Sequence, residues 1–165
     1  MAFEPSNVEK LILWMLADIG EKVDPKNKDY DLIREALNTG NFWAIEWDLP
    51  GVFADARPDA VVKETTDILD MWSFIEEACE AKFPGFDGNR EAEHVSVARM
   101  LTDKMERFES FKGRVGDGVL GLDGYRRMYA VFEPIRNDLG HRNPPRLSPN
   151  EAEEILAERV HPENR

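Results

Sequence analysis

Apolar residues recur at three- and four-residue intervals along most of the chain, and the two-residue alternation of a half-buried strand appears nowhere. Val8, Leu11, Ile12, Met15 and Ile19 define the first helical pattern. Ser6 with Glu9 opens it as a capping box: the hydroxyl accepts from the third helical amide while the carboxylate reaches back to the Ser6 amide. Gly20 is placed to end it. Leu13, Trp14 and Leu16 widen the stripe beyond the one face a surface helix needs, which predicts a helix covered on two sides, the second cover being another subunit. Asp24-Pro25 is the next start signal, with Tyr30, Ile33, Ala36 and Leu37 as buried positions before Gly40. Phe42, Trp43, Ile45 and Trp47 follow in an aromatic segment closed by Pro50-Gly51, too brief for an isolated helix and too apolar for an exposed loop. It reads first as a plug under the core and second as a partner-binding patch.

The two longest patterns run over residues 58–82 and 90–112. Val61, Val62, Thr65, Ile68, Leu69, Trp72, Ile75 and Cys79 carry the first; Val97, Leu101, Met105 and Phe108, flanked by Val95, Ala98 and Phe111, carry the second. Between them Pro84-Gly85 stops one helix and Asp87 or Asn89 caps the next, so the connection at 83–89 predicts antiparallel neighbours. Glycines from Gly113 to Gly124 punctuate a loop, after which Tyr125, Met128, Tyr129, Phe132 and Ile135 resume helical spacing, with Pro134 expected to kink or shorten the helix. Ser148-Pro149-Asn150-Glu151 is a second capping box with proline at the first helical position, and Ala152, Ile155, Leu156 and Val160 face inward from the last helix. The predicted fold is all-α: a multihelical single domain over residues 1–165, built around the central antiparallel helix pair.

Charge narrows the partners. A net charge of -12 opposes direct nucleic-acid binding and attraction to anionic membranes, which draw on Lys and Arg. The lone Cys79 forms no intrachain disulfide, the longest apolar run (11–17) is too short to span a bilayer, and Met1-Ala2-Phe3-Glu4-Pro5 lacks the basic start of a signal peptide. A cytoplasmic protein without membrane contact is expected.

Taken together, Lys10-Leu11-Ile12-Leu13, Glu64-Thr65-Thr66-Asp67-Ile68-Leu69-Asp70-Met71, Gly85-Phe86-Asp87 leading to Glu91, Tyr125-Arg126-Arg127-Met128 and Leu147-Ser148-Pro149-Asn150-Glu151 resemble the YfbU family of bacterial proteins over nearly the full length. The resemblance implies an all-helical, cytoplasmic, self-associating protein, and brings with it no catalytic residues. Some members place a ribbon-helix-helix DNA-binding module ahead of such a domain; here the first helix pattern begins at Ser6, and no such module is expected.

Three constellations could carry chemistry. Gly116-Asp117-Gly118-Val119-Leu120-Gly121 matches the dinucleotide fingerprint, but a helix pattern precedes it where a strand is required, so a turned interhelical loop is the better reading. Glu91 with His94, and Glu158 with His161, have the Glu-x-x-His spacing of metal-binding helical bundles, weak candidates without glutamates from two further helices. Arg136-Asn137-Asp138-Leu139-Gly140-His141 resembles the Arg-Asn and His motif of HEPN-type ribonucleases, in which two subunits bring Arg and His to an RNA phosphate without metal. The chemistry is sound, since histidine moves protons near neutrality and arginine stabilises charge on phosphate. Gly140, the nearby prolines and the acidic surface argue instead for a polar helix terminus. The leading expectation is a non-enzymatic homo-oligomer, an interaction or regulatory module with Leu13, Trp14, Phe42, Trp43 and Trp47 as interface candidates and no cofactor. An unidentified protein partner is a further possibility of the same kind.

Overall fold

The computed structural model describes residues 3–49, 52–53, 59–80, 82, 92–116, 121–161 and 163. Its helices are α1 (Asn7–Val23), α2 (Asp29–Thr39), α3 (Phe42–Asp48), α4 (Ala60–Cys79), α5 (Ala92–Arg99), α6 (Leu122–Leu139) and α7 (Pro149–Ala157). A π-helical turn (Met100–Lys104) continues α5, and a 3-10 turn (Glu109–Phe111) follows it. No strand occurs among the described residues, so the fold is all-α as the spacing predicts.

The main core forms on α4. Asp59 caps this helix by accepting from the Val61 amide at 2.8 Å. Ile68, Leu69, Trp72 and Ile75 then meet Val97 and Leu101 from α5 and the π turn, Tyr125 and Phe132 from α6, and Ala152 and Ile155 from α7. The aromatic segment does become a helix, α3, whose Trp43 and Trp47 pack on this core at 5.6 Å from each other. A smaller core joins Ala36 of α2, Ala44 and Ile45 of α3 and Met100 of the π turn. Phe3 packs against it, 5.0 Å from the ring of Phe53.

Local expectations are corrected at several places. Residues 90–112 do not make one long helix: α5 and its π turn end at Lys104, with Glu106 and Phe108 at positive φ of 52° and 53°. That conformation is costly for side chains with a Cβ. Tertiary contacts offset it, because the break buries Phe111 completely, stacks it on Phe108 at 6.4 Å and sets the Arg107 guanidinium 5.0 Å over the ring of Trp47. Gly20 does not end α1; the helix runs on to Val23, and the amide of Asp24 just after it donates to the Gly20 carbonyl. Gly20 serves packing instead, since a Cβ there would come 2.5 Å from the ring of Tyr30 on α2. Asp24-Pro25 accordingly lies in the connecting turn, and the Asn27 side chain accepts from the Asp29 amide where α2 begins. Finally, α7 stops at Ala157 and leaves Val160 exposed, while α6 starts at Leu122 and passes through Pro134. The expected stop and start at 83–89, and Pro58 before α4, lie outside the described residues; α4 and α5 are packed against each other.

Both capping boxes are present, Ser6 with Glu9 and Ser148 with Glu151. Glu151 also receives two hydrogen bonds from Arg142, at 2.8 and 2.9 Å. The Arg142 guanidinium first, and Ser148 after it, hold the Glu151 carboxyl down at about 2, against an ordinary 4.5. A depressed carboxylate contributes stability that is complete above its unfolded value and is lost as pH falls through the folded one. Unfolding midpoints should therefore fall between about pH 5 and pH 2, and Glu151→Gln should flatten that part of the profile. Equal acid sensitivity in both proteins would contradict the assignment.

Candidate functional site

Helix α1 stands apart from both cores: none of its residues belongs to either cluster. Among the described elements its one extensive neighbour is α2. Leu13, Ala17 and Gly20, spaced for one helical face, are its less exposed positions, with Ala17 buried and Gly20 under the Tyr30 ring. The broader apolar stripe faces outward. Val8, Leu11, Ile12, Trp14, Met15, Leu16, Ile19 and Val23 are all exposed, from 39% at Trp14 to 80% at Val23. Val8, Ile12, Met15 and Ile19 follow the alternating four-three-four spacing of a coiled-coil seam, with Leu11, Leu16 and Val23 flanking it. Eight such side chains offer on the order of 800 Å² of surface, the share one partner contributes to a standard specific interface and more than monomers normally expose.

Part of the rim of this stripe is charge-matched despite the acidity of the chain. Asp18 pairs with Lys22 at 2.7 Å, and Arg34 of α2 reaches Glu21 at 2.9 Å and Asp18 at 4.0 Å. Glu9 is engaged in the capping box, and the Lys10 ammonium lies 4.8 Å over the ring of Phe42.

A second polar arrangement lies where α4, α5 and α6 meet. His94, only 8% exposed, places Nε2 2.9 Å from Glu64 Oε2. Arg126 donates to both oxygens of the same carboxylate, at 2.7 and 3.1 Å. The Arg126 guanidinium holds the Glu64 carboxyl below its ordinary value, with burial opposing and His94 adding to the effect. One turn along α4, Lys63 pairs with Asp67 at 2.5 Å, and Arg136 of α6 lies 2.7 Å from Asp70 and 3.7 Å from Asp67. These pairs border a groove of about 360 Å³ lined by Ala60, Ile68, Tyr129 and Glu133 among others. Its cations are already matched by carboxylates, which makes the cluster a clamp between helices. Glu64→Ala, which takes the acceptor from His94 and Arg126 together, should cost about 1–3 kcal/mol in urea unfolding. A loss within error would show that the clamp is idle.

The sequence candidates fall in different places. Arg136 is engaged with Asp70 and Asp67, while Asn137 and His141 are exposed, His141 on the turn after α6 with its amide bonded to the Asp138 carbonyl. Within one chain, then, the guanidinium charge is committed to carboxylates. Glu91 lies outside the described residues, and its partner His94 is turned to Glu64. His161 approaches Glu163 at 3.8 Å, and the Glu158 carbonyl accepts from Arg127. No group of three or more metal-ligating side chains lies together among the described residues. Gly116 takes a positive φ of 101° in a turn that follows a helical segment, and residues 117–120 of the fingerprint are outside the described ones. Phe42, Trp43 and Trp47 are half-buried against their own chain. Sequence reading missed Glu64 as the partner of His94 and Arg126 as the second group on that carboxylate, since nothing in their spacing shows that three separate helices meet there. No helix among the described residues is long and apolar enough to cross a membrane.

A YfbU domain model matches residues 3–157 of the chain. No curated protein and no solved structure matches it.

Proposed function

The chain belongs to the YfbU family, and from that premise we propose that it acts as a non-enzymatic, homo-oligomeric interaction or regulatory module of the bacterial cytoplasm, assembled through the outward face of α1. The observation that carries this reading is the row of eight exposed apolar side chains on one helix that belongs to neither core. Left in water, that surface forgoes roughly 25 cal/mol for every Å² that a partner would cover.

A second copy is the occupant that fits best. The exposed area is of the size one protomer gives to a stable interface. Asp18 and Glu21 beside the stripe are matched within the chain by Lys22 and Arg34, so two acidic molecules can bring these faces together with less repulsion than the net charge of the chain alone would give. A basic partner would find little to attract it at this face, and the seam spacing suits another α-helix. The paired state of Arg136 favours this module over the ribonuclease reading, which needs a guanidinium available to phosphate.

Sedimentation velocity at micromolar concentration tests the proposal. A mass that is a multiple of one chain supports it; a monomer throughout the range overturns it.

A further inference from the structure

We propose that the cavity between α2 and the α5–π-helical segment binds a small zwitterion of the α-amino-acid class. The cavity measures about 400 Å³, within the range of small-molecule sites, and none of its lining comes from α1. Its walls bring two unlike groups of side chains together.

On one side stand donors. Ser96 and Arg99 are three residues apart on α5 and share a face. The buried Asn41, 6% exposed, donates from its amide nitrogen to both Ser96 Oγ and Thr39 Oγ1 at 2.9 Å, and accepts from the Trp43 indole at 3.0 Å. The Thr39 hydroxyl hydrogen is spent on the Glu35 carbonyl at 2.8 Å. Ser96, by contrast, accepts from Asn41 and donates to nothing among the described residues, so its O–H is left for a ligand. Arg99 makes no ion pair there either, in a chain with 33 acidic residues. Its Nη2 lies where a Cβ on Gly116 would come within 2.7 Å, so the glycine leaves room for the guanidinium.

On the other side stand acceptors, together with the Lys104 ammonium, whose charge is already paired with Asp31 at 3.1 Å. Glu35 lines the cavity with its carboxylate unmatched among the described residues, and Asp103 receives only the Thr102 hydroxyl, at 3.0 Å. On a regular α-helix Arg99 and Asp103, four residues apart, would be neighbours on one face. The π turn that starts at Met100 changes the register between them, and no ion pair joins the two among the described residues. A carboxylate held by Arg99 and Ser96, an ammonium held by Glu35 and Asp103, and a side chain against Val95 and Met100 would satisfy every one of these groups.

Isothermal titration of the full chain with each of the twenty standard amino acids, and with inorganic phosphate and methylamine as single-charge probes, tests the inference. At least one amino acid should bind at about millimolar concentration or below. Arg99→Ala and Glu35→Gln should each weaken it about tenfold or more, as loss of a charged hydrogen bond requires. Both residues lie away from the cores, and an unchanged circular dichroism spectrum would show that the variants fold. Absence of binding by all twenty, binding indifferent to Arg99→Ala, or phosphate binding as tightly as the best amino acid would each overturn it.

Discussion

Placing glutamates at Ile12 and Met15 together should convert the proposed assembly into a monomer. Both side chains lie in the middle of the outward seam of α1, and both are half exposed within the single chain. Ile12→Glu with Met15→Glu therefore buries no charge in the isolated fold, and thermal unfolding of the variant monomer should remain cooperative. In the proposed assembly the same substitutions would put carboxylates at the centre of an apolar contact, where an unmatched buried charge costs several kcal/mol. A loss of about 4 kcal/mol moves a dissociation constant roughly a thousandfold, enough to take a micromolar oligomer out of reach. Light scattering after size exclusion reads the outcome directly. An oligomer that survives both substitutions would mean that the contact lies elsewhere.

Leu101→Ala is expected to have the second large effect, of about 2–5 kcal/mol in denaturant unfolding. Leu101 is fully buried in the main core, at the start of the π turn, among residues of α4 and α6. Truncation there leaves a cavity bordered by elements that other contacts hold in place, so the site can collapse only in part. Leu16 makes the contrast. It is 59% exposed, and Leu16→Ala in the monomeric background should change stability by less than about 0.5 kcal/mol. Similar costs at the two leucines would contradict the separation of α1 from the core.

Much of this architecture is legible in the chain because local signals agree with the tertiary result. The Ser148 capping box with Pro149 fixes the start of α7, and the three- and four-residue spacing of Ile68, Leu69, Trp72 and Ile75 identifies the buried side of α4. Where the reading failed, a contact distant in sequence had decided the matter. Gly20 carries the ordinary mark of a helix end, yet the Tyr30 ring uses its missing Cβ for packing. Met105 and Phe108 continue a helical stripe, yet burial of Phe111 and the contact of Arg107 with Trp47 draw the chain out of the helix before them. The surplus of apolar residues on α1 was readable; which of its faces looks outward was not, because Val8, Ile12, Met15 and Ile19 form as good a core stripe as any. The Glu64, His94 and Arg126 clamp is of the same kind, with each residue ordinary on its own helix.

The proposed contact between copies can be tested without altering the protein. Mixing isotope-labelled with unlabelled chains and recording filtered nuclear Overhauser spectra reports only those protons that meet across the interface. Signals from the methyl groups of Ile12, Met15, Leu16 and Ile19 to the same helix of a second copy are the predicted result. Intermolecular signals confined to other elements, with none from α1, would contradict the central claim.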